Sequence, residues 1–127
     1  MRQIAILFIL VPTFLFSIES PVSMNLRKVS DSKYSLKISV PKGFAIQKDA
    51  PNKLKLTSDG NLKINSYSTD FLGTSLFDKP EYFETLNDFE INMKGSGTLQ
   101  IDSKIFYCDI QKGICYPGKV SKKEVIP

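Results

Sequence analysis

In Leu99-Gln100-Ile101-Asp102-Ser103-Lys104-Ile105-Phe106-Tyr107-Cys108, the residues Leu99, Ile101, Ser103, Ile105 and Tyr107 fall on one side of an extended backbone. Gln100, Asp102, Lys104 and Phe106 fall on the other. Alternation with a period of two over this length specifies a strand with one face in a core and the other wet. Upstream, Tyr34, Leu36, Ile38 and Val40 alternate with Ser35, Lys37 and Ser39 in the same way, and Pro41-Lys42-Gly43 closes the segment. Phe44-Ala45-Ile46 is a further apolar stretch, ended by Asp49-Ala50-Pro51-Asn52. Leu54 and Leu56 alternate with Lys53 and Lys55 up to Ser58-Asp59-Gly60-Asn61, where Asp-Gly predicts a tight hairpin returning through Leu62, Ile64 and Ser66.

Between Ser68 and Pro80 alternation lapses, so Phe71, Leu72, Leu76 and Phe77 read as the apolar tip of a loop. Glu81 to Leu86 suits a short helical turn. Phe89, Ile91 and Met93 restore strand spacing up to the turn Gly95-Ser96-Gly97, and Val120 with Val125-Ile126 predicts a last strand beyond Tyr116-Pro117-Gly118. Seven or eight short strands punctuated by Pro, Gly, Asn and Asp predict an all-β, immunoglobulin-like antiparallel β-sandwich, with a β-barrel as the alternative.

The N-terminus reads differently. Met1-Arg2 carries a positive charge, and Ile4 to Phe16 is apolar apart from Pro12 and Thr13. This is the form of a secretory signal over residues 1–20. It is shorter than the roughly 20 apolar residues that a membrane span needs, and a retained signal anchor is the alternative. Cleavage is expected near Ser17, because Pro21 disfavours a cut after Ser20. Residues 21–127 are then a single exported domain, periplasmic or secreted, with no membrane span.

The formal net charge is +4, with Arg27, Lys28, Lys33, Lys37, Lys42, Lys48, Lys53, Lys55 and Lys63 loading the first half. These cations alternate with apolar residues, as on a solvated strand face, and arginine is scarce; nucleic-acid binding is not expected. The chain contains no histidine. Ser-His-Asp and Cys-His nucleophilic sites and histidine metal ligands are thereby excluded. Glu81, Glu84, Asp88 and Glu90 match no calcium-loop spacing, so neither a metal nor a cofactor is expected.

The reactive groups that remain are the two cysteines, Cys108 and Cys115, flanking Asp109-Ile110-Gln111-Lys112-Gly113-Ile114. In an oxidising compartment they form a disulfide. Closing so short a loop contributes about 2.5 kcal/mol by the chain-entropy formula. Spacing alone favours a structural staple over a redox centre.

Cys108 to Cys115 followed by Tyr116-Pro117-Gly118 resembles the redox loop of the N-terminal periplasmic domain of DsbD, a membrane thiol-disulfide reductase. The family has Cys-Tyr-Pro-Pro where Gly118 here replaces the second proline. Lys42-Gly43-Phe44 with Asp49-Ala50-Pro51 is similar to the family's early strand and turn, and Asp70-Phe71-Leu72-Gly73 to its cap loop, in the same order from Lys33 to Val125. The resemblance implies an immunoglobulin-like fold and an exchange pair in which Cys115 takes the mixed disulfide and Cys108 resolves it. It also implies a cap, Asp70 to Gly73, with Phe71 over the bond, and a thioredoxin-like protein or other exported thiol protein as partner. Ala45 stands where related domains often carry histidine, and neither a second cysteine pair nor an electron-relaying membrane segment is present. The resemblance therefore implies one exchange domain rather than a whole reductase.

Overall fold

Ten strands and no helix form among residues 20–127, the part of the chain that the computed structural model describes. The expected signal, with its cleavage near Ser17, lies outside the described residues except for Ser20. In order the strands are β1 (Ser23–Lys28), β2 (Lys33–Ser39), β3 (Phe44–Gln47), β4 (Lys53–Gly60), β5 (Lys63–Tyr67), β6 (Gly73–Leu76), β7 (Lys79–Leu86), β8 (Phe89–Lys94), β9 (Gly97–Asp109) and β10 (Ile114–Ile126). A four-stranded sheet has the order β1-β2-β8-β5. A six-stranded sheet has the order β10-β9-β3-β7-β6, with β4 also on β9, and every pairing is antiparallel. The architecture is the immunoglobulin-like sandwich expected from the sequence.

Alternation explains the core. Leu36, Ile38, Phe89, Ile91 and Met93 from one sheet meet Ile46, Leu99, Ile101 and Ile105 from the other, all at most 1% exposed. Each such side chain stabilises the fold by about 1.5–3 kcal/mol relative to exposure. Polar contacts also cross between the sheets: the Leu56 N–H donates to Tyr67 Oη at 3.3 Å, and Lys122 Nζ to the Met24 carbonyl at 3.0 Å.

The structure departs from the sequence reading at four places. Glu81 to Leu86 is not a helical turn but the body of β7, paired with β3 and β6. A register shift against Ser75 lets both Phe83 and Leu86 become buried, so a bulged strand acquires the three-residue spacing of a helix. Part of the expected loop, Gly73–Leu76, is the edge strand β6, whose exposed Thr74 and Ser75 hid its alternation.

Asp59-Gly60 does not turn a hairpin, because β4 and β5 belong to different sheets. There the chain crosses between the two layers, and Gly95 to Gly97 crosses alongside it, with Gly60 paired to Gly97. A Cβ at Gly97 would collide with the Asp59 carbonyl, so the two crossings pack backbone to backbone. Finally, β10 starts at Ile114 rather than beyond Gly118. Pro117 is compatible with it because β10 is an edge strand, where a missing N–H need not break a ladder.

Candidate functional site: the disulfide at the end of the long hairpin

Strands β9 and β10, 13 residues each, form one continuous hairpin from Gly97↔Ile126 to Asp109↔Ile114. Its turn is set by local chemistry. Asp109 accepts the Lys112 N–H on its carboxylate at 3.1 Å and the Gly113 N–H on its carbonyl at 2.9 Å. Gly113 has φ +67°, which glycine adopts without steric cost. The Ile110 N–H donates to the Gly43 carbonyl at 3.0 Å, tying the turn to the segment that leads into β3.

Cys108 and Cys115 stand directly opposite one another in this ladder and are bonded, with Cα atoms 3.9 Å apart. The hydrogen-bond phase explains the close approach. The Phe106 N–H points away from β10, to Asn52 Oδ1 at 2.8 Å. Phe106↔Pro117 is therefore a non-hydrogen-bonded pair, and so, two residues on, is Cys108↔Cys115, the kind in which opposed side chains lie closest. The same phase directs the Cys115 N–H and C=O away from β9, toward the edge of β10 that pairs with no other strand among the described residues.

Asn52 repairs a gap in the sheet. The far edge of β9 is covered by β4 up to Lys104 and by β3 from Tyr107, leaving Phe106 without a strand partner on that side. Asn52 accepts from the Phe106 N–H and donates Nδ2 to the Gln47 carbonyl at 2.7 Å. From the sequence Asn52 is only a turn residue, since its bridging role follows from a non-local pairing.

The two sulfurs differ in access. Cys108 is 1% exposed, opposite Cys115 on one side and the fully buried Ala45 on the other, whereas Cys115 is exposed. Tyr107, on the inner face, packs its ring 6.0 Å from that of Phe44 and 5.5 Å from that of Tyr116. Beside the turn, a cleft of about 420 Å³ is lined by Val40, Pro41, Phe44, Leu76 and Ile110, among others.

Asp70, Phe71, Leu72 and Gly73 are not gathered over this bond. Asp70 to Leu72 lead into β6 and Gly73 begins it, and β3 and β7 separate β6 from β9. Phe71 packs edge-on against Phe89 at 5.0 Å, the Leu72 carbonyl accepts the Asn87 N–H, and the Leu72 side chain is 60% exposed. Phe71 is thus a core-packing residue in this structure, because its apolar ring fills the flank of the sandwich beside Phe89.

A solved structure of comparable fold is the N-terminal domain of Neisseria meningitidis DsbD in the reduced form. The chain resembles that domain in fold. Identity is 13% and the TM-score 0.45, with 88% of this chain and 89% of that chain covered. No family model and no curated protein matches. Among the described residues no helix is long and apolar enough to cross a membrane.

Proposed function

We propose that the chain is an exported thiol-disulfide exchange domain, which passes reducing equivalents from a thioredoxin-like donor to an oxidised protein through Cys108 and Cys115. The observation that carries this reading is the unequal access of the two sulfurs, one exposed on an edge strand and one buried behind it. A donor thiolate attacks Sγ of Cys115. The Cys108–Cys115 bond breaks, a donor–Cys115 disulfide forms, and Cys108 leaves as a thiolate. The donor's second thiolate then attacks its own sulfur in that bond, so the donor ends as a disulfide and the domain holds two thiols and two electrons. In the forward half, Cys115 attacks the acceptor's disulfide, and Cys108 resolves the mixed species by re-forming the Cys108–Cys115 bond. The acceptor leaves as a dithiol, and solvent supplies the protons.

A permanent staple in a non-catalytic binding module is the competing reading. Such a staple would contribute about 2.5 kcal/mol, at a hairpin whose strands are also joined by the continuous β9–β10 ladder. The deciding measurement is the reduction potential of the folded domain against glutathione and thioredoxin buffers. The exchange reading expects a value above about −300 mV, with reduction while folded. It also expects a Cys108→Ala variant to accumulate mixed disulfides at Cys115. A bond that is reduced only on unfolding leaves the staple.

A further inference from the structure

The outer face of the six-stranded sheet carries a charge pattern that sequence order conceals and strand register assembles. Residues directly opposite in antiparallel strands share a face, and so do residues two apart along a strand. Cys108 and Cys115 therefore share their face with Phe106 and Pro117, then with the row Lys53–Lys104–Lys119 across β4, β9 and β10. The next rows are Lys55–Asp102–Ser121 and Thr57–Gln100–Lys123. From the disulfide to Lys123 the face thus holds five lysines against one carboxylate, Asp102. That carboxylate is already engaged, accepting from Ser121 at 2.7 Å and Gln100 at 3.1 Å.

Three like charges directly opposite one another destabilise a sheet, and no salt bridge is made by these lysines among the described residues. Lys104 instead holds its ammonium 5.2 Å from the Phe106 ring centroid. At about 3.4 Å per residue, four residues separate Cys108 from Lys104 by about 14 Å. Three strands at about 4.8 Å make the lysine row about 10 Å wide. An occupant that reaches both ends of this patch must offer a sulfur at one end and negative charge at the other. A lipid headgroup offers only the charge.

We propose that this face, from Cys115 to the Lys53–Lys104–Lys119 row, docks an acidic protein surface, with the partner's reacting cysteine about 14 Å from a carboxylate cluster. This rests on the exchange reading and adds the partner's chemistry to it. Opposite charge on the partner steers the encounter, and an approach with basic flanks is repelled.

The test uses three synthetic peptides, each with one cysteine, three glycines and then three glutamates, three glutamines or three lysines. The spacer spans about 14 Å when extended. The rate of peptide–Cys115 disulfide formation on the oxidised domain is read by mass spectrometry. Each rate is normalised to the same peptide's attack on hydroxyethyl disulfide, which removes the effect of the tail on its own thiol. At about 0.01 M salt the glutamate peptide is expected to react about tenfold faster than the lysine peptide, with the ratio approaching one at about 0.5 M. A K53Q/K104Q/K119Q variant abolishes the preference and K53E/K104E/K119E reverses it.

Equal normalised rates on the wild-type domain, or an unchanged preference in the glutamine variant, overturn the docking inference while a reacting glutamine peptide keeps the exchange reading. If no peptide thiol attacks the folded domain, the exchange reading fails. The surface is then judged by amide shifts with the serine analogue of the glutamate peptide: shifts at Lys104 and Lys119 retain an acidic partner, and their absence overturns it. Cosedimentation with phosphatidylglycerol vesicles without any peptide effect also overturns it, in favour of an anionic lipid surface.

Discussion

Replacing Asn52 by alanine removes the bridge that completes the edge of β9 two residues before Cys108. Two hydrogen bonds are lost, from the Phe106 N–H at 2.8 Å and to the Gln47 carbonyl at 2.7 Å. The N–H is the costly one. It is a backbone donor between β3 and β4, and losing its acceptor costs about 1–3 kcal/mol, whereas a carbonyl with two lone pairs is more easily resatisfied. A total of about 2 kcal/mol follows. For a domain of this size each kcal/mol lowers Tm by about 4–8 °C, so the drop is about 8–16 °C. Thermal unfolding followed by circular dichroism at 218 nm reads it directly. Asn52→Asp keeps the acceptor and loses the donor, and should cost less than alanine. An alanine variant within about 0.5 kcal/mol of wild type would show that water closes the gap equally well and refute the argument.

Further outcomes follow from single contacts. Gly97→Ala forces a Cβ into the Asp59 carbonyl and is expected to cost more than about 3 kcal/mol or prevent folding, while Gly113→Ala meets open space and costs about 1 kcal/mol for its φ of +67°; denaturant midpoints give both values. Phe71→Ala loses its contact with Phe89 and about 2 kcal/mol of stability, with the reduction rate at Cys115 unchanged within about twofold; a large acceleration would restore the covering role that the family resemblance implies. The Asp102 carboxyl is held below its usual range, chiefly by the Ser121 hydroxyl, then by Gln100, with Lys55 adding attraction against some desolvation. Its folded-state value lies below the unfolded one, so its contribution is present above the unfolded value and is lost as pH falls through the folded one. Ser121→Ala should move the titration upward toward the ordinary value, as NMR of the carboxyl carbon would show, and no movement would remove Ser121 as the cause.

What the sequence made legible was whatever depends on alternation within one strand. Tyr34, Leu36 and Ile38 in β2 and Leu99, Ile101, Ser103, Ile105 and Tyr107 in β9 all proved buried, as their spacing requires. What it concealed depends on which strand meets which. Asp59-Gly60 carries local hairpin chemistry, but no local signal says that β4 will choose β9 as its partner and leave β5 to the other sheet. In β7 a bulge placed Phe83 and Leu86 on the core side at helical spacing, which a period count cannot separate from a true helix. The cysteine pair was visible from count and spacing. The difference in exposure between its members was not, nor was the role of Asn52, because both are set by residues far away in the chain.

Register parity connects these findings. Along β9 the inner face takes Tyr107 and Ile105 into the aromatic and aliphatic core, so Cys108, one residue on, must face outward with Phe106 and Lys104. A slip of one residue would send the bond into the core and the lysines with it, since side chains change face at every step. The parity that seals the core therefore also fixes the bond and the lysine row on one surface. Asn52 bears on both outcomes: it holds the β9 edge where β3 ends and β4 begins, just before Lys53 starts the row. Loss of Asn52 should accordingly disturb access at Cys115 and the placement of Lys53 together, whereas the lysine substitutions alter charge and leave the bond's access as it is. Comparing neutral-thiol reduction rates in Asn52→Ala and in K53Q/K104Q/K119Q separates these roles. A neutral thiol should react differently with the first and equally with the second, and the opposite pattern would break the link from register to site.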